Sequence, residues 1–301
     1  MSKKPSPIFR CSIKISVIKV SRLVVSNANR SLFKNAKRWG SCLTPAYAVT
    51  LLLCLNISAH AADTAPSYPE ILVDDARHVL SSPARWQEQD WRDMGLAALG
   101  IAGAVALIDR PVRDEMRRHA PNDSRFMHEA ERFGSEYSLA LLGGFYLAGA
   151  LGNDERAQAV AEDGLSALLI AGGIITPAIK VVAGRSRPSE TSAVADFHPF
   201  SGGPSFPSGH ATRAFAVAAV ISNHYDETWV TCSSYTLASL VGVARSYHDA
   251  HFASDVLAGA LIGTWVGKSV VAHNKQMHSG KVVVLPEIAP GLVGVRVVSQ
   301  L

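Results

Sequence analysis

The sequence predicts an all-α fold: a helical bundle of about six core apolar helices, followed by a short C-terminal β-like tail. Three observations predict it. Six apolar segments rich in Ala, Leu and Gly lie near 94–108, 137–152, 164–184, 211–224, 229–246 and 253–272, separated by polar turns. No internal repeat is present, which argues against a solenoid. The end, from Lys281 to Leu301, turns to Val-rich sequence interrupted by Pro286, Pro290 and Gly291, so a small hairpin or loose tail fits it better than a seventh helix.

Residues 1–62 read as a targeting segment. They hold 10 of the 29 Lys and Arg and no Asp or Glu. An apolar stretch from Ala46 to Ile57 is followed by Ala59-His60-Ala61-Ala62, which suits cleavage after Ala61. Cleavage would remove Cys11, Cys42 and Cys54 and leave Cys232 alone, so no disulfide is expected. An uncleaved anchor is the alternative. Beyond residue 62 the balance reverses to 19 basic against 25 acidic residues. That net charge of −6 gives no basic patch for a nucleic-acid partner.

Residues 63–93 are polar with scattered apolar positions, including Trp86 and Trp91, and predict a short amphipathic helix or two. The bundle occupies 94–272, and 273–301 is the tail. Within the last apolar segment Gly259, Gly263 and Gly267 fall four apart, on one helix face, which permits a neighbouring helix to approach closely. A membrane span needs about 20 apolar residues. Only 164–184 and 253–272 approach that length. The turn after the first segment carries Arg110, Arg113, Arg117, Arg118, Arg125 and Arg132, and the turn after the second carries Arg156 alone. If every segment spans, that asymmetry puts the first turn and the chemical motifs in the cytoplasm. If not every segment spans, the bundle sits in the periplasm or only partly in the bilayer.

Three stretches carry the chemistry. The first runs from Lys180 to Arg187 and Pro188, the second is Pro207-Ser208-Gly209-His210, and the third runs from Arg245 through His251 to Asp255. A phosphate ester needs its oxygens held by cations and donors. Lys180, Arg187 and Arg245 supply three cations, each at the end of an apolar segment; Arg binds phosphate oxygens through two parallel bonds, Lys as a point charge. Ser208 is a good helix N-cap, and Gly209 lets backbone come close to a ligand. A helix starting there aims free N–H groups at an anion. His251 and Asp255 stand four apart, so on a helix they share a face, and the carboxylate can orient the ring for nucleophilic attack. His210, beside the cradle, is placed to protonate the leaving oxygen and then to activate water. Each feature alone is ordinary. Charged residues cap helices, Pro-Ser-Gly forms turns, and His–Asp pairs decorate helix surfaces. Their order and spacing together point to phosphate chemistry.

The joint pattern resembles the type 2 phosphatidic acid phosphatase superfamily, with its vanadium haloperoxidase branch. The family signature Lys-x6-Arg-Pro, Pro-Ser-Gly-His and Ser-Arg-x5-His-x3-Asp is met by Lys180, Arg187 and Pro188, by Pro207 to His210, and by Arg245, His251 and Asp255. Ala244 stands where the family usually has Ser. The resemblance covers roughly 164–272. It implies an all-α bundle, a phosphohistidine on His251, Asp255 as its partner, His210 as general acid, phosphate binding by Lys180, Arg187, Ser208, Gly209 and Arg245, and no cofactor. No metal motif accompanies the five histidines between 198 and 251: neither His-Glu-x-x-His nor Cys-x-x-Cys occurs. His198, His248 and Asp249 fall outside the signature and are expected at the rim or in structural roles.

The substrate expected is a lipid-linked phosphate or diphosphate in the bacterial envelope, at the inner membrane or in the periplasm after export. A soluble periplasmic acid phosphatase acting on small phosphoesters, a vanadate-dependent haloperoxidase and a non-enzymatic membrane scaffold are the competing readings.

Overall fold

The computed structural model describes residues 67–119, 124–279, 282–289 and 292–299. The targeting segment, with its cleavage position and three cysteines, lies outside them. Cys232 is exposed with a free thiol.

All six apolar segments are helical. Helix α1 (Tyr68–Ser81) starts at a capping box in which Glu70 accepts a 2.8 Å hydrogen bond from the Ser67 backbone. Helix α2 (Glu88–Leu107) begins the same way, with Asp90 accepting from the Gln87 backbone at 2.8 Å. It bends by 51° into α3 (Asp109–His119). Helices α4 (Arg125–Glu131) and α5 (Glu136–Gly152) follow, the latter ended by Asn153 in the left-handed conformation. Asp154 caps α6 (Glu155–Leu168) by accepting from Arg156 and Ala157. That helix runs through a π-helical stretch, Leu169–Ile175, into α7 (Thr176–Ala183). Helices α8 (Gly209–His224), α9 (Thr228–Tyr247) and α10 (Ala253–Ser279) complete the bundle. The tail backbone pairs Val282–Ala289 antiparallel with Leu292–Ser299.

Helices α3 and α4 differ from the expectation of a plain arginine-rich turn. Arg is a good helix former, and Asp109 opens α3 where a negative charge suits the helix dipole. Tertiary ties then hold α3 in place: Arg117 donates to Asp249 at 2.8 Å and to the Pro188 carbonyl at 2.6 Å.

The core lies where α6, α8 and α10 meet, around Val160, Ile170, Val217, Val220, Val266 and Val270. The α10 glycine face admits α8 at backbone contact. A Cβ on Gly263 would stand 2.2 Å from the Thr212 carbonyl oxygen, and one on Gly259 2.6 Å from that of Ser208. Since α8 starts at the Pro-Ser-Gly-His motif, this contact fixes the depth of the site. Gly263→Ala is expected to lower unfolding free energy by about 2 kcal/mol, because overpacking against backbone exceeds the gain of about 1 kcal/mol in helix propensity. A denaturant melt in detergent measures it, and an equal or higher midpoint would refute the close approach.

Two helices are long and apolar enough to cross a membrane, Glu155–Ala183 and Ala253–Met277. They contain the two segments singled out by length in the sequence. The bent α2–α3 pair passes the same test only when taken together, as a broken span or a re-entrant loop.

Candidate active site

Chain reversals bring the three motif stretches together. Gly184 ends α7 at φ +61°, where a Cβ would lie 1.7 Å from the His198 carbonyl oxygen, so this turn requires glycine. The following loop carries Arg185 and Arg187 back over the bundle end. The Ser189 N–H donates to the Asp249 carbonyl at 3.2 Å, and the Ser208 N–H to the Asp255 carbonyl at 3.0 Å. The Ala250 and His251 N–H groups both reach the Arg245 carbonyl, folding the His251 loop onto the end of α9. Backbone bonds thus stitch all three stretches into one cluster.

Ser208 caps α8 as its sequence position predicts: its hydroxyl accepts from the Ala211 N–H at 3.5 Å. A Cβ on Gly209 would meet only the Thr176 methyl, at 3.6 Å, so packing does not demand glycine there. The Lys180 ammonium donates to the carbonyls of Pro204 and Ser205.

His251 is 4% exposed, and its Nδ1 lies 3.8 Å from Asp255 Oδ2. That is an ion-pair separation beyond hydrogen-bond range. Asp255 is already engaged: Oδ2 accepts from the Ser205 hydroxyl at 2.5 Å and the Phe252 N–H at 2.9 Å, and Oδ1 from Arg185 at 2.5 Å. Among the described residues, six buried side-chain polar atoms have no partner, and five of them belong to the motif stretches: Arg185 Nε, Arg187 Nε, Arg245 Nε, His248 Nε2 and His251 Nδ1. Unpaired buried guanidinium nitrogens are costly unless something answers them, and a bound anion would answer those of Arg187 and Arg245.

Charge follows the same geometry. Burial, then the charges of Arg245 and Arg213, push His210 down to about 3. Burial also lowers His251, against the opposing pull of Asp255. Both rings are therefore neutral near pH 7. Burial alone would raise Glu131, but hydrogen bonds from His248 and Arg245 outweigh it and the net shift is downward.

Arg185 and Glu131 are among the participants not singled out in the sequence. Arg185, inside the first stretch, is fully buried and joins Asp255 to Asp109. Glu131 binds Arg245 at 2.5 Å and His248 at 2.8 Å. For Arg185 a signal existed in the doubled arginine of Gly-Arg-Ser-Arg-Pro; for Glu131 there was none, because its partners lie more than a hundred residues away. Of the residues outside the signature, His248 stacks on His128 with centroids 4.4 Å apart, Asp249 takes Arg117, and exposed His198 pairs with Asp196.

Among the described residues, His128, Glu131 and His248 form a group that could offer three metal ligands. The donor set fits a cation poorly. Glu131 Oε2 is already taken by Arg245 and His248, and a dication would sit against the Arg245 guanidinium.

A helical bundle with a cationic, donor-rich cluster at the mouth of a glycine-packed helix pair is an arrangement that suits an anionic ligand. Residues 164–277, which hold most of α6 and helices α7 to α10, match the model of the PAP2 superfamily. The chain is 37% identical over 103 residues to a lipid A 1-phosphatase of Porphyromonas gingivalis, covering 34% of this chain and 21% of that one. It is 34% identical over 101 residues to a lipid A 1-phosphatase of Rhizobium johnstonii, covering 31% and 39%. The chain thus spans about a fifth to two fifths of the length of these curated relatives. Among solved structures, LpxE of Aquifex aeolicus is similar at a TM-score of 0.40 and 23% identity, covering 53% of this chain and 93% of that one.

Proposed function

We propose that this protein is a phosphatase of the bacterial envelope that hydrolyses a lipid-linked phosphomonoester or diphosphate through a phosphohistidine, without a metal. The observation that carries the reading is the pair of unpartnered buried guanidinium nitrogens on Arg187 and Arg245, beside Lys180, His251 and the Ser208-capped helix start. Lys180, Arg187, Arg245 and the N–H groups at Gly209 and His210 would hold the phosphate oxygens. His251 Nε2 attacks phosphorus, the ester P–O bond breaks, and His210 gives a proton to the leaving oxygen. His210 then takes a proton from water, whose oxygen attacks phosphorus as the P–N bond breaks. Asp255 orients His251; its 3.8 Å separation is of the kind that shortens when substrate binds.

Lipid specificity is supported by apolar surface on the helices that carry the site. A groove of about 520 Å³ lies between α5, α8 and α9, lined by Phe133, Leu141, Phe145, Val217, Ile221 and Trp229. It also takes in Ala214, one turn beyond His210. Along α2, Leu96, Leu99 and Leu107 are 60–76% exposed, a surface suited to acyl chains rather than water. The curated relatives named above, both lipid A 1-phosphatases, point the same way.

The test is a substrate panel on the full chain, with and without detergent and with and without EDTA. Long-chain lipid phosphates in mixed micelles are expected to be turned over at least ten times more efficiently than nucleotides or p-nitrophenyl phosphate, with EDTA having no effect. Purification without detergent together with a preference for nucleotides would overturn the lipid reading, and halide oxidation with added vanadate would overturn the phosphatase reading.

A further inference from the structure

Asp109 opens α3 at the 51° bend and lies outside the 164–277 family segment. It is fully buried. Its Oδ2 accepts from Arg185 Nη2 at 2.7 Å and from the Ser254 hydroxyl at 2.6 Å, while Oδ1 accepts from the Ser254 N–H at 2.8 Å. Arg185 Nη1 in turn donates to Asp255 Oδ1 at 2.5 Å and to the Ser254 hydroxyl at 2.7 Å. The guanidinium is held between Phe252 and Phe197, its carbon 4.1 and 4.9 Å from the ring centres. Asp109, Arg185 and Asp255 all have fully buried side chains.

Stability alone is a weak reason for this arrangement. Burying three ions costs several kcal/mol each in desolvation, and apolar residues of similar shape often serve a core as well. The charge count is more telling. Arg185 paired with Asp255 alone would be neutral as seen from His251. Arg185 shared between two carboxylates leaves one negative charge in excess, with Asp255 Oδ2 3.8 Å from His251 Nδ1. When His251 forms its bond to phosphorus, the ring becomes cationic and that excess charge stabilises it.

We propose that Asp109 is a positioning residue for hydrolysis: it shares Arg185, so that Asp255 faces His251 with negative charge that Arg185 does not fully offset. This rests on the assignment of His251 as nucleophile made above. The catalytic domain thereby depends on a side chain from the helix pair that precedes it. A purely structural tie between α3 and α10 would use the same hydrogen bonds, so the test separates charge from shape. Asp109→Asn keeps an oxygen for the Ser254 N–H and nearly the same volume, but removes the charge. On dioctanoyl phosphatidate in detergent micelles, the full chain carrying Asp109→Asn is expected to lose about 30- to 100-fold in kcat with KM within about twofold. Asp109→Glu, which retains the charge, is expected to keep kcat within about fivefold of wild type. Circular dichroism melts establish that each variant is folded. A folded Asp109→Asn with wild-type kcat overturns the proposal, as does one that loses only KM. If Asp109→Asn does not fold, Asp109→Glu decides: a folded variant that loses more than about 30-fold in kcat overturns it, and one that keeps kcat supports it. His251→Ala run beside them keeps the two ideas apart. An active His251→Ala removes the nucleophile assignment itself, whereas an inactive one beside an unaffected Asp109→Asn removes only the role of Asp109.

Discussion

His251→Ala is expected to lower kcat by at least about 10⁴-fold while leaving the bundle folded, because a covalent route loses its only attacking atom. Three features suit this ring to the role of nucleophile proposed for it. It is buried against Asp255, its backbone is tied to the Arg245 carbonyl at 3.3 Å, and burial keeps it neutral near pH 7, so a nitrogen lone pair is free. With Nδ1 turned to Asp255, Nε2 is left for phosphorus. The alternative is direct attack by water, with His251 acting only as a base. The two routes differ in what can be trapped. Wild type quenched in base during turnover should carry labelled phosphate that is lost in acid, and His251→Ala should carry none. A variant that turns over at more than a hundredth of the wild-type rate, or a wild type that traps no label, would mean water attacks directly.

The residues that made this site legible in advance are those whose meaning is local. The Ser208 cap, the His251–Asp255 spacing and the α10 glycines act over one or two helical turns, and such periodicities are written in consecutive residues. The six apolar helices were legible for the same reason. What escaped was set by long-range pairing. Arg185 meets Asp109 across 76 residues and Asp255 across 70, and no spacing rule links them. Helices α3 and α4 were hidden by their arginines, whose charge resembles a turn until Asp249 and the Pro188 carbonyl are seen to bind Arg117. The His251–Asp255 pair stands at 3.8 Å, while Arg185, Ser205 and the Phe252 N–H bond the same carboxylate, and the spacing of four residues carries no sign of those partners.

His210 governs the second large effect. With its ring held near 3 by burial and by Arg245 and Arg213, the enzyme without substrate carries no proton there at neutral pH. A general acid must nonetheless be protonated when the ester bond breaks. In the proposed route the proton would therefore arrive with the substrate monoanion and pass to His210 once the phosphate charge offsets Arg245. This fixes the sign of the pH dependence. Phosphate monoesters lose their second proton near pH 6, so kcat/KM is expected to be level below about pH 6 and to fall roughly tenfold per unit above it. The limb should move to lower pH for an aryl phosphate, whose second ionisation is more acidic. A limb that stays in place across substrates would show that the enzyme supplies the proton, and would contradict the low value for His210. His210→Gln sharpens the same argument through the leaving group. For an alkyl lipid phosphate, whose alkoxide cannot depart unprotonated, kcat is expected to drop about 10²- to 10⁴-fold. For p-nitrophenyl phosphate, whose phenolate departs readily, phosphorylation of His251 should slow far less. Equal losses on both substrates would place His210 in phosphate binding rather than proton transfer, and leave the leaving oxygen to find its proton elsewhere.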